Sequence, residues 1–189
     1  TLKYVYSTAA GTRYTHEYSA TYGEDSRVNT FGLNGIFSIT PTFDGLGRQS
    51  SRVLKNGSGA QVEKEDYAFI AGAGGNNATT TLIGSATYYG AGTTGTQYSY
   101  EYDKTGNLTA IKKNGTTLHT YTYDSLGQLT SWYNAATDKT VRYGYYKGGN
   151  LKNIYDGEDT VSFVYNNGDG IADRLMVYDG QLLSYDDIG

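Results

Sequence analysis

Aromatic and polar residues alternate most clearly between Tyr98 and Gly115, in the stretch YSYEYDKTGNLTAIKKNG. Tyr98, Tyr100 and Tyr102 occupy every second position, and a period of two places them on one face of a β-strand. Asp103-Lys104-Thr105-Gly106 interrupts the alternation. Asp at the first position and Gly three later suit a type I turn that ends in a left-handed residue. The strand expected next, Asn107 to Lys113, carries Leu108 and Ile111, and Asn114-Gly115 is a strong hairpin signal that reverses the chain again. The predicted unit is strand, DxxG turn, strand, NG turn.

The unit recurs. Tyr121 to Leu129 (YTYDSLGQL) repeats it, and so does Tyr143 to Leu151 (YGYYKGGNL), with Tyr146 where the Asp stood. Phe163-Val164-Tyr165 is a looser copy, and Ser184 to Gly189 (SYDDIG) is another. The tyrosines before the turn stand at 102, 123, 145, 165 and 185, so the spacing is 21, 22, 20 and 20 residues. A fixed period near twenty identifies a repeat array.

Residues 1–97 carry the same materials in degenerate form, and residues 98–189 the clear copies, so the whole chain is expected to be a single array. Tyr14, His16 and Tyr18 share one parity, Tyr22-Gly23-Glu24-Asp25 opens a turn, and Asn34-Gly35 signals a reversal. Ile39, Pro41 and Phe43 alternate into Asp44-Gly45-Leu46-Gly47. Pro41 lacks a ladder donor, so its strand lies at an edge or is bonded only on its other side. Arg52 to Lys55 is the return strand and Asn56-Gly57 the next reversal. Gln61 to Ile70 reads as a strand with one solvated face, Ala71 to Thr80 as a long loop, and Thr81 to Ile83 and Ala86 to Tyr89 as short strands. Reversal about every ten residues makes neighbouring strands pair antiparallel in chain order. The predicted fold is all-β, an antiparallel meander of hairpin repeats, with accumulated twist curling it into a curved, spiralling sheet.

Composition sharpens this picture. Of 189 residues 21 are tyrosine and 26 glycine, against one proline and no cysteine. Aromatics fit a pleated surface and glycine supplies positive φ, as many short strands with tight turns require. Mean hydropathy of −0.54 with so many tyrosines suggests rings packed in rows and hydroxyls in water. The net charge of −4, with no basic block, argues against nucleic-acid binding. No stretch has the apolar length of a membrane-spanning helix. The absence of cysteine removes disulfide and thiol chemistry and is compatible with the outside of a Gram-positive cell. With no initiator Met and a final copy cut short, the chain reads as a fragment whose open sheet edges favour self-association.

The repeated residues resemble those of the Rhs or YD-repeat proteins, whose hallmark is Tyr-Asp, two residues, Gly, one residue, Leu. The matching stretches are YDKTGNL at 102–108, YDSLGQL at 123–129, FDGLGRQ at 43–49 and YDDIG at 185–189. The resemblance implies a spiralling ribbon that in complete members coils into a shell around a C-terminal polypeptide, usually a toxin. It implies a non-enzymatic structural module of a large secreted or cell-surface bacterial protein, without cofactors, whose partner is an encapsulated or adjacent segment of the same parent. The DPxG-type core end of such proteins has no counterpart in this sequence.

The candidate site residues divide into two sets. The repeat motif comprises Phe43, Asp44, Gly47, Tyr102, Asp103, Gly106, Tyr123, Asp124, Gly127, Tyr145, Gly149, Tyr185, Asp186 and Gly189. There the tyrosines are expected to pack on one another and the aspartates to accept turn N–H groups. Trp132-Tyr133, Tyr88-Tyr89 and Tyr145-Tyr146 are adjacent aromatics that must face opposite sides of a strand. One member of each could therefore stack a cell-wall or host glycan, the alternative function. Asn166 to Asp173 is similar to a calcium loop, but Tyr165 and Met176 stand where its first and twelfth positions need carboxylates, so a polar turn is the plainer reading. No metal site and no catalytic residue is expected. His16 and His119 lie in strands, no nucleophile elbow accompanies them, and the paired acids Glu24-Asp25, Glu158-Asp159 and Asp186-Asp187 sit at turns.

Overall fold

The computed structural model describes residues 2–72, 80–166 and 173–186. Among these residues the regular structure is sixteen β-strands, all pairing antiparallel with their neighbours in sequence, and there is no helix. The fold class is thus the meander of hairpins that the alternation predicts. Most of the polar turn expected at 166–173, most of the expected 71–80 loop, Asp187 and Gly189 lie outside the described residues.

The chain divides into two compact units, one of residues 1–100 and 113–115, the other of 101–112 and 116–189. In the first unit run β1 (Leu2–Ser7), β2 (Arg13–Tyr22), β3 (Val28–Leu33), β4 (Phe37–Phe43), β5 (Gln49–Asn56), β6 (Gln61–Phe69), β7 (Ile83–Tyr89) and most of β8 (Gly95–Tyr102). The second holds β9 (Leu108–Lys113), β10 (Thr116–Tyr123), β11 (Leu129–Asn134), β12 (Lys139–Tyr145), β13 (Leu151–Tyr155), β14 (Thr160–Tyr165), β15 (Leu175–Tyr178) and β16 (Gln181–Leu182).

Register separates two chemically different faces. In the first unit the pairs Tyr18↔Leu33, Phe31↔Ile39, Ile39↔Leu54, Tyr67↔Ala86 and Ala86↔Tyr98 run across one face. The opposite face carries Ser19↔Gly32, Gly32↔Ser38, Thr42↔Ser51, Ser51↔Asp66 and Thr87↔Gln97. The second unit repeats the division. Tyr121↔Trp132, Trp132↔Val141, Tyr143↔Ile154 and Ile154↔Val161 lie on one side, and Thr122↔Ser131, Ser131↔Arg142 and Thr140↔Tyr133 on the other. The expected rows of buried rings are half-buried instead. Among the described residues only Leu33, Ala86 and Ala110 are buried apolar side chains. Each ring is half-covered by its cross-strand neighbours, and among the described residues of each unit strand contacts stop at sequence neighbours.

Several local readings need correction. Asn114 and Gly115 both have positive φ (48° and 82°), the geometry of a type I′ hairpin. Asn56-Gly57 is different: Gly59 is the left-handed residue (φ 82°), and the Asn56 Oδ1 accepts the N–H groups of Ser58 and Ala60 at 3.1 and 3.0 Å. Asn56 thus plays the part that Asp plays in DxxG, and its side-chain acceptor outweighs the local NG signal. At Asn34-Gly35 the loop has three residues between Leu33 and Phe37, and only Gly35 is left-handed (φ 72°). Thr81 and Leu82 are outside strands, with β7 starting at Ile83. Pro41 pairs with Arg52 of β5, whereas the β3 ladder ends at Ile39, so its missing donor falls on the side where pairing has stopped. Asp179-Gly180 (φ 48° and 76°) forms a second type I′ hairpin that the sequence reading passed over.

Candidate functional site

One backbone pattern is built seven times among the described residues. The N–H of a first residue donates to the carbonyl four residues on, and the N–H three residues on donates back to the first residue's carbonyl. The first residues are Thr8, Gly23, Asp44, Asn56, Asp103, Asp124 and Tyr146, with bonds of 2.8–3.1 Å. The fourth residue has positive φ each time: Gly11, Ser26, Gly47, Gly59, Gly106, Gly127 and Gly149. Thr8, Gly23 and Ser26 show that neither Asp nor Gly is compulsory, which is why residues 1–40 look noisy as sequence and regular as structure.

The carboxylates are consumed by these turns. Asp103 Oδ1 accepts from the Thr105 N–H, the Thr105 hydroxyl and the Asn107 N–H at 2.9, 2.7 and 2.9 Å, and Oδ2 accepts from Asn107 Nδ2 at 3.0 Å. Asp124 Oδ1 accepts from the N–H groups of Leu126 and Gln128, both at 2.9 Å. Asp44 accepts the Leu46 and Arg48 N–H groups and the Arg48 Nε at 2.7 Å. Donation from Thr105, then from Asn107, holds the Asp103 carboxyl down at about 2. The Arg48 guanidinium lowers Asp44, and the N–H groups of Asp159 and Glu158 lower Asp156.

The carboxyls of Asp103, Asp44 and Asp156 are more acidic in the folded chain than in the unfolded one. Their contribution is therefore complete above the ordinary value of 3.8 and is lost as pH falls through their lowered values, about 2 for Asp103. The melting temperature is expected to fall across that window. Asp103→Asn keeps the turn acceptor, as Asn56 does naturally, and should flatten the fall; an acid profile identical to the parent's would contradict the assignment.

The strand after the turn carries the second feature. Tyr123 pairs with Leu129 while Thr122 pairs with Ser131, so Thr130 is an extra residue, a β-bulge. The same slip occurs at Phe43–Gln49 and Tyr145–Leu151. On its far side β11 pairs with β12 only from Ser131 onward, which leaves the Leu129 carbonyl outside the ladder. The Tyr145 hydroxyl donates to it at 2.8 Å. The Tyr123 hydroxyl donates to the Leu108 carbonyl at 2.8 Å, and the Tyr185 hydroxyl to that of Leu175. Tyr123, Tyr145 and Tyr185 therefore latch their hairpins to the leucine of the preceding one, a use of the hydroxyl that the expectation of wet hydroxyls misses. Burial raises the pKa of Tyr102, Tyr123 and Tyr145.

The aromatic pairs proposed for stacking are largely engaged. Trp132 is half-buried, its Nε1 donates to His119 Nδ1 at 3.2 Å, and the two rings lie 5.8 Å apart. The Tyr133 hydroxyl donates to Asp138 at 2.9 Å, and this bond raises its pKa. Tyr89 lies under the Lys64 ammonium at 5.2 Å. Tyr146 meets Tyr165 edge-on at 6.0 Å and donates to the Phe163 carbonyl at 3.1 Å. Tyr88 meets Tyr98 edge-on at 6.0 Å and keeps 40% of its surface exposed. The aromatic face of the first unit also holds a charged island. Arg52 is bidentate on Glu65 (2.9 and 3.1 Å) and reaches Glu63 at 3.2 Å, while the Tyr67 hydroxyl donates to Glu65 at 2.7 Å.

No protein-family model matches the chain, and no curated protein matches it. Among solved structures it is similar to a TcdB2-TccC3 chain crystallised with Cdc42, at 18% identity and a TM-score of 0.44, over 81% of this chain and 10% of that one. A Photorhabdus luminescens Tc holotoxin pore carrying a TccC3 mutation gives 17% identity and a TM-score of 0.46, over 94% of this chain and 12% of that one. A porin-like protein from Bacteroides uniformis gives 11% identity and a TM-score of 0.44, over 88% and 78%. The chain spans about a tenth of the length of the toxin-complex chains it matches.

Proposed function

We propose that the chain is a non-enzymatic structural repeat module of a larger secreted or cell-surface protein of the Rhs type, its sheet enclosing or presenting another polypeptide of the same parent, such as a toxin. The observation that carries this reading is how the motif is used: its carboxylates are saturated by turn N–H groups and its phenols by leucine carbonyls. Such groups hold hairpins together and are not poised for chemistry. The half-exposed aromatic face is what an extended polypeptide would cover, and the Ser/Thr face is suited to water. Among the described residues β1 hydrogen-bonds to β2 as the outermost strand of the order, and outer strands of this kind can add a second copy.

Sedimentation tests both contacts. The chain is expected to associate with rising concentration and to carry fluorescein-labelled casein, an unfolded polypeptide, in its boundary. A chain that stays monomeric and leaves casein behind would overturn the proposal. Carbohydrate stacking is the alternative, favoured by the exposed Tyr88 ring. It predicts that a soluble cell-wall polysaccharide, and not casein, shifts the boundary and changes Trp132 fluorescence.

A further inference from the structure

In five of the seven turns the residue that follows the left-handed position carries a long polar side chain, Arg27, Arg48, Asn107, Gln128 and Asn150; Thr12 and Ala60 follow the other two. The long side chain reaches the next turn at the same end of the sheet. A Cβ on Gly47 would strike the Arg27 guanidinium, and one on Gly127 would lie 3.9 Å from the Asn107 amide. Gln128 Nε2 donates to the Gly149 carbonyl at 3.3 Å, and Asn150 Nδ2 to Asp173 at 2.9 Å. Arg48 donates to the carbonyl of Thr80, in the segment that leads into β7.

In four of these turns the identity of this residue goes with the aromatic before the next turn. Arg27 lies over Phe43 at 5.3 Å and Arg48 over Phe69 at 4.1 Å. Phenylalanine has no hydroxyl, so the carbonyl latch is closed to it. Asn107 and Gln128 are followed by Tyr123 and Tyr145, which make that latch. Tyr185, beneath Arg174 at 5.3 Å, has both.

We propose that the array uses two interchangeable couplings between successive hairpins, an amide followed by a latching tyrosine or an arginine stacked on a phenylalanine, and that the residue after the left-handed position decides which aromatic the next hairpin accepts. A guanidinium over a ring supplies attraction of the order of a neutral hydrogen bond, so one can replace the other. The idea rests on the scaffold reading only in treating the hairpins as a stacked array. It concerns stability and not client binding, so either can fail alone.

A double-mutant cycle by chemical denaturation tests it. Tyr145→Phe is expected to lower the folding equilibrium constant roughly two- to tenfold. Adding Gln128→Arg should recover most of that loss, whereas Gln128→Arg beside the intact Tyr145, whose latch is already made, should gain much less, and Gln128→Met should not rescue Tyr145→Phe. The reciprocal cycle, Arg27→Gln with Phe43→Tyr, reads the same coupling in the other unit should the first double variant fail to fold; there the new hydroxyl would donate to the Val28 carbonyl. Additive effects in both cycles would overturn the proposal.

Discussion

Replacing Gly106 or Gly127 with valine is expected to destabilise the chain by about 1–3 kcal/mol at each site, the cost of holding a β-branched residue in the left-handed region. The two glycines have φ of 90° and 77°. Each donates its N–H back to the aspartate carbonyl that closes its turn, so relaxing φ would break that bond and slip the bulge after it. Turn Tyr146–Gly149 provides an internal control. Gly149 is left-handed (φ 94°), whereas a Cβ on its neighbour Gly148 would meet nothing within 4 Å and Gly148 is not among the positive-φ residues. Gly149→Ala should therefore lower the denaturation midpoint and Gly148→Ala should leave it nearly unchanged. Equal effects from the two would show that loop flexibility, and not handedness, governs these turns.

The strands were legible because the signal is redundant. Tyrosine parity, Asp and Gly at fixed offsets and a period near twenty all point to hairpins, and tertiary packing has no reason to override them in a single sheet. Turn chemistry was legible only where one signal stood alone. At Asn56 two compete, since Asn followed directly by Gly suggests a type I′ pair and Asn followed by Gly three later suggests the Asx geometry. The second wins because the side-chain Oδ1 of Asn56 accepts two N–H groups at once. At Thr8 and Gly23 the same turn forms with neither Asp nor Asn in first place; the Thr8 hydroxyl accepts the Thr12 N–H at 3.2 Å, and Asp25 Oδ1 accepts the Arg27 N–H at 3.1 Å.

What the sequence hid at the site is long-range. The partner of the Tyr145 hydroxyl lies 16 residues upstream, and the reach of Gln128 is 21 residues. Neither distance corresponds to a local propensity. A signal was present nonetheless, in the long polar side chain directly after the left-handed residue of five of the seven turns. It becomes readable once the bulge is known to leave the leucine carbonyl unpaired. Trp132 illustrates the converse: a lone tryptophan beside a tyrosine suggests a platform, but its face belongs to the same row as His119 and Tyr121, and its indole N–H is taken.

The second large effect is expected in alkali. The bond to Glu65, with burial behind it, pushes Tyr67 up to about 12 from an ordinary 10.0, and burial raises Tyr102, Tyr121, Tyr123 and Tyr145. A folded pKa above the unfolded one means that each phenol's contribution is complete below pH 10 and is lost as pH climbs through its raised value, about 12 for Tyr67. In that window Tyr123 and Tyr145 also lose the proton they donate to Leu108 and Leu129, leaving two oxygens with nothing between them. Because the same phenols join successive hairpins, ionisation and unfolding are expected to coincide: tyrosinate absorbance should rise in one cooperative step together with the loss of β-sheet circular dichroism. Tyr67→Phe should lower stability at neutral pH while making it less sensitive to pH above 10, since Glu65 keeps Arg52 but loses the phenol that resists ionisation. Tyrosines that titrate gradually around 10 while the circular dichroism stays constant would mean that the hydroxyls face water and that the latches do not hold the sheet.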